Sequence, residues 1–220
     1  MAKNRSVLSW QEVVDASITN SMIVVGENVS IDPNVSFVLK GKVSDTHFNI
    51  GDNVHIMSNS IVYLNSRIGA NTIIAHSAIV REDCNIGCDV VIGARCEIQE
   101  NVTIGNSTKL NSNVLLSGGT KVGFSCWIFP NVVVTNDPNP PSCIRKPVTI
   151  MDYAVISVGC LIMPGVCIEE HTFIGPGSTV NMHVPKGLCV LDSKIRGSAA
   201  KLRMSDDFNT PAYPWTNRYP

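Results

Sequence analysis

Branched apolar residues recur at every sixth position along most of this chain. Ile50, Ile56, Val62, Ile68, Ile74, Val80, Ile86, Ile92, Ile98, Ile104, Leu110, Leu116, Val122, Ile128 and Val134 keep the spacing without a slip. Four residues after each comes a smaller one, among them Val54, Ser60, Thr72, Ala78, Cys84, Cys96, Thr108 and Cys126. Gly follows the aliphatic residue at Ile68-Gly69, Ile86-Gly87, Ile92-Gly93, Ile104-Gly105 and Val122-Gly123. A period of six matches neither the turn of a helix nor the two-residue alternation of a strand. It suits a coiled chain in which each hexad supplies one short strand and one bend. The large aliphatic side chain then fills the interior and the small one fits a tight corner. Asn, Asp and Gly provide the backbone conformations that corners demand. Stacked coils would lie about 4.8 Å apart, joined by backbone hydrogen bonds along the axis. The pattern predicts a parallel β solenoid.

In-frame hexads at Val25, Ile31 and Phe37 precede the main run, and the step of seven from Val43 to Ile50 predicts a bulge near His47. Ser9 followed by Trp10, Gln11 and Glu12 reads as a capping-box helix start. That helix would close the open end of the solenoid, making residues 1–24 an N-terminal cap. The period breaks over 135–149 and resumes at Ile150, Ile156, Ile162, Ile168, Ile174 and Val180. The expected organisation is a β-helix over 25–185 with an excursion loop at 135–149. An irregular tail over 186–220 follows, carrying Phe208, Tyr213, Trp215 and Tyr219.

Composition narrows the function classes. The 220 residues are 44% apolar and 6% aromatic, enough for one soluble domain with a sizeable core or at most two small ones. With 17 basic and 18 acidic residues the formal charge is −1, which gives no electrostatic ground for nucleic acid or an anionic membrane as partner. No apolar block of signal-peptide type follows the charged start, and no run of about 18 apolar residues occurs, so a cytoplasmic protein without a membrane span is expected. Eight cysteines would suit a secreted disulfide framework. However, Cys84, Cys96, Cys126 and Cys160 hold the small inward position of their hexads and read as reduced packing residues, while Cys88, Cys143, Cys167 and Cys189 lie off that register. The histidines His47, His55, His76, His171 and His183 fall in separate hexads without the close pairing of metal ligands, so no metal is expected.

The pattern of aliphatic residue, then Gly, Asn or Asp, then a small residue resembles the hexapeptide-repeat proteins over roughly residues 25 to 185. This resemblance implies an all-β fold, the left-handed parallel β-helix with three hexads per turn; the handedness comes from the resemblance alone. The turn Val134-Thr135-Asn136-Asp137-Pro138, followed by Ile162-Met163-Pro164-Gly165-Val166 and Ile174-Gly175-Pro176-Gly177-Ser178, resembles the coenzyme-A-dependent acyltransferases of that superfamily. The subgroup it is most similar to is the N-acetyltransferases of nucleotide-linked amino sugars, which serve surface polysaccharide synthesis. From composition alone, Asn136 and Asp137 read equally as caps of a turn ahead of three prolines.

The resemblance implies a homotrimer with acetyl-CoA in the groove between adjacent solenoids and a sugar nucleotide as acceptor. It makes Asn136 the group that accepts a hydrogen bond from the attacking amine. A neutral amine needs placement more than a strong base, and a carboxamide, unlike a carboxylate, does not favour the unreactive ammonium. Asp137 either takes the proton or pins the loop. Relatives that acetylate hydroxyls place a His in or beside such a loop, since a hydroxyl must lose its proton as it attacks. Here that neighbourhood has Asn139. His76 is the imidazole that would approach the groove from a neighbouring chain, and it reads also as an exposed polar residue on a solenoid face.

For the coenzyme, the resemblance sets Ser157 and Gly159 of Ile156-Ser157-Val158-Gly159-Cys160 along the pantetheine arm, where small residues and backbone amides line the path. Val184-Pro185-Lys186-Gly187 resembles the family's last-coil exit. Gly197-Ser198-Ala199-Ala200-Lys201-Leu202 resembles its Gly-Asn-Pro-Ala-Lys signature, with Ser198-Ala199 in place of Asn-Pro. Lys186 and Lys201 thereby join the coenzyme site, Lys201 meeting a phosphate as a point charge. Three readings compete with the N-acetyltransferase: O-acetylation of a sugar or small alcohol through His76, a metal-dependent hydratase resembling γ-type carbonic anhydrase, and a non-catalytic solenoid scaffold.

Overall fold

The computed structural model describes residues 5–201. Expectations for Leu202 and for the aromatic residues Phe208, Tyr213, Trp215 and Tyr219 lie outside the described residues. From residue 23 onward each hexad is one short strand and one corner, and three strands complete a coil. Ile79–Val80 pairs in parallel with Glu97–Ile98, and that strand with Leu115–Leu116, so residues eighteen apart stand in register. The stack forms three sheets, here faces A, B and C, of nine, eight and ten strands. Face A carries Ile61–Tyr63 and Ile79–Val80, face B Arg67–Ile68 and Asn85–Ile86, and face C Ile73–Ile74 and Val91–Ile92. Among the described residues no helix is long and apolar enough to cross a membrane.

The interior is a column of the sixth-position aliphatics; Ile56, Ile74, Ile92, Leu116 and Ile128 are fully buried. Between the faces run three corners, AB, BC and CA, and the residue before most of the small inward ones adopts positive φ. Asn65, Asp83 and Asn101 do so at corner AB, Asn53, Asn71 and Asp89 at BC, and Asn59, Arg95, Asn113 and Asn131 at CA. Asn and Asp enter this region most readily among residues with a Cβ because their short polar side chains bond locally. Here they bond along the stack: Asn53 Nδ2 donates to Asn71 Oδ1 at 3.1 Å, and Asn71 Nδ2 to Asp89 Oδ1 at 3.1 Å. The Gly after the aliphatic is needed for close approach, since a Cβ on Gly69 would stand 2.5 Å from the carbonyl carbon of Gly87 in the next coil.

The cysteines at the inward position substitute for hydroxyls. Cys84 Sγ donates to Gln99 O at 3.1 Å and Cys126 Sγ to Met151 O at 3.1 Å. Ser60 and Thr72 make the matching bonds to Ala75 O and Gly87 O at 3.0 and 2.9 Å. Burial pushes the thiols of Cys84 and Cys126 up to about 12 and that of Cys96 up to about 11.

At the N-terminal end the helix Trp10–Thr19 begins with the reciprocal Ser9–Glu12 capping box. It seats Val13, fully buried, in the core, and packs Trp10 against Phe37 with the rings tilted by 35° and their centroids 5.4 Å apart. The strand Arg5–Leu8 runs antiparallel to Ser36–Lys40 and covers that end of face A.

Two expectations need correction. Between Ser36–Lys40 and Phe48–Ile50 there is more than a one-residue bulge. A 3-10 turn, Val43–Asp45, widens the corner, and Thr46 closes it by donating Oγ1 to Lys42 O at 2.8 Å. At the other end, regular pairing passes residue 185, so the stretch after it is not irregular throughout. Leu188–Leu191 extends face C parallel to Phe173–Ile174, and Lys194–Ser198 returns antiparallel to it. Backbone pairing holds these strands where the hexad pattern has lapsed.

Candidate active site

The excursion leaves corner AB after Val133–Val134 and returns at Thr149–Ile150. Val134 pairs with Ile162 and Val122 with Ile150, each twenty-eight residues on instead of eighteen, so ten residues are inserted without disturbing the stack. The insertion is closed at its base by Lys146 N–H donating to Asn136 O at 2.7 Å.

Asp137 holds the loop's interior. It accepts from Ser142 Oγ at 2.6 Å, Ser142 N–H at 2.9 Å, Asn139 N–H at 3.1 Å and Arg145 Nη1 at 3.1 Å. The Ser142 bonds, ahead of the Asn139 amide and the Arg145 charge, keep its carboxyl below the usual aspartate range. Of the two roles expected for Asp137, the structure supplies the contacts of the second, pinning the loop.

Asn136 is anchored at its other end. Its Nδ2 donates to Gly118 O, one coil earlier, at 2.9 Å. This bond fixes the orientation of the amide, because the nitrogen must face the carbonyl, and turns Oδ1 the other way. Among the described residues no donor reaches that oxygen.

Loop and face A together enclose a hollow of about 390 Å³. Leu115, Leu161, Met163, Pro138 and Pro140 supply its apolar walls, and Gln99, Ser117, Thr135, Asn136 and Asp137 its polar groups. Beneath it, corner AB carries a charged array. Glu82, with its side chain 7% exposed, pairs with Lys40 and with Arg81, and Arg81 reaches Glu100 at 3.2 Å. Burial alone would raise the Glu82 carboxyl; hydrogen bonds from Lys40 and Arg81 outweigh it and bring it down to about 2. A larger hollow, about 470 Å³, lies on face B of the first coils beside Met22, His47 and Arg67. It contains none of the residues expected to act, and no buried unpaired side chain there points to a ligand.

The remaining sequence-predicted residues stand elsewhere on the prism. His76 is exposed at corner CA, three coils before Pro130, with Ser58 Oγ 2.9 Å from its Nδ1. Ser157 and Gly159 occupy the same corner CA further along. Their amides are not open to a ligand, because Ser157 N–H donates to Ile174 O and Gly159 N–H to Pro130 O within the stack. Val158 N–H makes no backbone hydrogen bond at that corner, and it stands beside a Gly159 whose missing Cβ would meet nothing within 4 Å. Lys186 lies across face C at corner BC, its N–H on Glu169 and its Nζ 3.4 Å from Glu170. Lys201 ends a 3-10 turn that begins with the buried Ala199, which packs beside Val155 and Cys189 outside face C. One chain therefore brings together Asn136 and Asp137 but not His76, and it separates Ser157 and Gly159 from Lys186.

Ser117 and Gln99 were not anticipated from sequence. Their signal is positional: with Tyr63, Arg81, Thr135 and Met163 they form the outward column of face A next to corner AB. Among the described residues no three His, Cys, Asp or Glu side chains converge as metal ligands.

Residues 83–118 match the family described as bacterial transferase hexapeptide, six repeats. No curated protein matches the chain. Among solved structures, the UDP-N-acetylglucosamine acyltransferase of Arabidopsis is 18% identical with a TM-score of 0.55, over 80% of this chain and 70% of that one. The UDP-N-acetylglucosamine O-acyltransferase (LpxA) of Moraxella catarrhalis is 16% identical with a TM-score of 0.54, over 78% of this chain and 72% of that one. The repeat, the three-faced stack and these neighbours give the fold as the left-handed parallel β-helix of the hexapeptide-repeat proteins.

Proposed function

We propose that this hexapeptide-repeat β-helix is an acetyl-CoA-dependent acetyltransferase that modifies the amine of a nucleotide-linked amino sugar, in surface polysaccharide synthesis. The observation that carries the reading is Asn136: its nitrogen is tied to Gly118 O, and its oxygen is unengaged in a pocket without an imidazole. When bound, acetyl-CoA supplies a thioester that a neutral amine attacks directly, forming the C–N bond as the C–S bond breaks, with the amine proton leaving on the thiol.

Asn136 Oδ1 accepts one N–H of the amine and points its lone pair away from the loop. The anchor to Gly118 means little freedom is lost in doing so. As a neutral acceptor Asn136 favours the ammonium form less than a carboxylate would. Asp137, through Ser142 and Arg145, keeps the loop that carries Asn136 closed. Leu115, Leu161 and Met163 give the open hollow an apolar wall beside the reacting atoms.

Corner CA supports the coenzyme reading, with the side-chain-free Gly159 and Gly177 and the open Val158 N–H offering a flat path. That corner and the Asn136 pocket flank opposite sides of face A, so a complete site calls for a second copy. A homotrimer with each groove shared between two solenoids meets that need.

O-acetylation is the second reading. It is favoured by the O-acyl transfer named for the Moraxella enzyme and by the exposed His76, which Ser58 orients. Calorimetric titration with acetyl-CoA, followed by mass spectrometry of amino-sugar and neutral-sugar nucleotides, tests both. Binding near one per chain with acetylation of amines is the expected result. Acetylation of hydroxyls alone selects the second reading, and no binding by the folded protein removes both.

A further inference from the structure

Four buried side-chain atoms among the described residues lack a hydrogen-bond partner: Glu100 Oε2, Ser117 Oγ, Thr172 Oγ1 and Ser178 Oγ. Three have a local explanation. Glu100 Oε2 lies 3.2 Å from the Arg81 guanidinium. Thr172 and Ser178 hold the small inward position of their hexads, inside the coil and outside the lining of either hollow, where no ligand reaches them. Ser117 is different. It belongs to the outward column of face A, is only 3% exposed, and lines the Asn136 pocket.

The other polar groups around that pocket are committed. Thr135 Oγ1 donates to Ile162 O at 3.1 Å, and Gln99 bridges Glu97 Oε1 and Gly118 N–H at 3.3 and 3.2 Å. Asp137 is occupied by Ser142, Asn139 and Arg145. What the pocket leaves for a ligand is an acceptor, Asn136 Oδ1, and a hydroxyl able both to donate and to accept, Ser117 Oγ. A buried hydroxyl without a partner is costly, which favours a ligand that supplies one.

We propose that Ser117 is a substrate-positioning residue that hydrogen-bonds the hydroxyl next to the reacting amine, so that the acceptor is a vicinal amino alcohol of a sugar ring. This rests on the amine reading above and specifies its substrate class. Ser117 N–H bonds to Val134 O and Asn136 Nδ2 to Gly118 O, so the two residues sit on neighbouring coils, about 4.8 Å apart along the axis. A vicinal nitrogen and oxygen can span two such groups with a hydrogen bond of ordinary length, about 2.9 Å, at each end.

The test compares the wild type with Ser117→Ala on two acceptors, UDP-glucosamine and its 3-deoxy analogue, alongside the melting temperature of each protein without ligand. Wild type is expected to prefer the hydroxyl-bearing acceptor about tenfold or more in kcat/KM, since a site built to bond a hydroxyl rejects the analogue lacking it. Ser117→Ala is expected to lose that preference, through KM for the acceptor, with KM for acetyl-CoA and the melting temperature unchanged. Equal preference in both proteins, where wild type does transfer to amines, overturns the assignment of Ser117 alone. A melting temperature lowered by several degrees in Ser117→Ala also overturns it, by showing a partner within the protein. Failure of wild type to acetylate either acceptor overturns it together with the choice of this acceptor class, and transfer to hydroxyls instead points to the second reading.

Discussion

Asn136 hangs from Gly118. The amide nitrogen of the first, 2.9 Å from the carbonyl of the second, ties the start of the excursion loop to the coil beneath it, and Gly118 itself is buried without a side chain between Glu100 and Asn136. The carboxamide is thus oriented by backbone, not by a neighbouring side chain. Replacing Asn136 by Ala is expected to lower kcat about 100-fold, the scale of losing one well-placed polar group at a reacting centre, and to lower the melting temperature by a few degrees, since Gly118 O loses its partner. Steady-state acetylation of an amino-sugar nucleotide measures it. His76→Ala should change that rate by no more than about twofold, and the reverse ranking of the two variants would transfer the chemistry to an imidazole.

The loop should open in acid. The carboxyl of Asp137 is depressed in the folded protein, so its stabilising contribution is complete above the ordinary value of 3.8 and is lost as pH falls through the lower folded value. The amide resonances of Ser142 and Asn139 are expected to move together in that acid window. Asp137→Asn should show the shifted loop resonances already at neutral pH and no further step on acidification.

Corner CA offers a substitution that the fold accepts and the coenzyme should not. Asn59, Asn113 and Asn131 occupy the same corner as Gly159 in other coils, all at positive φ, and Gly159 has φ +68° with open space where a side chain would stand. Gly159→Asn is therefore expected to leave the melting temperature unchanged and to raise KM for acetyl-CoA about tenfold, by crowding a path that needs a small residue. An unchanged KM would remove this corner from the coenzyme site.

Thiol accessibility separates packing cysteines from surface ones. Cys143 is exposed, whereas Cys84, Cys96 and Cys126 are buried, with thiols pushed up to about 12, 11 and 12. Iodoacetamide at pH 8 followed by peptide mass mapping should label Cys143 within minutes and the three buried thiols only after denaturation, because the thiolate is the reacting form.

The fold was legible because its requirement is local and repeated. Each Ile56-like residue, each small partner such as Val54 and each corner Asn restates the same geometry, so a misreading at one hexad is corrected by the next. The candidate site was legible only where it interrupts that repetition. Asn136 and Asp137 stood out by breaking the period, but the partners of Asp137, Ser142 and Arg145, follow no rule of spacing. Ser117 was hidden because it obeys the period while facing outward, and a serine is unremarked until its neighbours' hydrogen bonds are counted. The pairing of Leu188–Leu191 with Lys194–Ser198 was missed because backbone bonds, not a side-chain pattern, hold it.

The eighteen-residue register makes the solenoid behave like a screw that advances only by full turns. Removing one hexad between Ser117 and the loop would rotate everything beyond it by a third of a turn and carry Asn136 to a different corner, away from Ser117. Removing a whole coil would lower it by about 4.8 Å and leave its bearing unchanged. Length changes in such a chain can therefore tune how deep a groove runs between fixed ends, but they can alter which groups look into it only by discontinuous jumps, while a ten-residue side branch such as 137–146 escapes that constraint altogether.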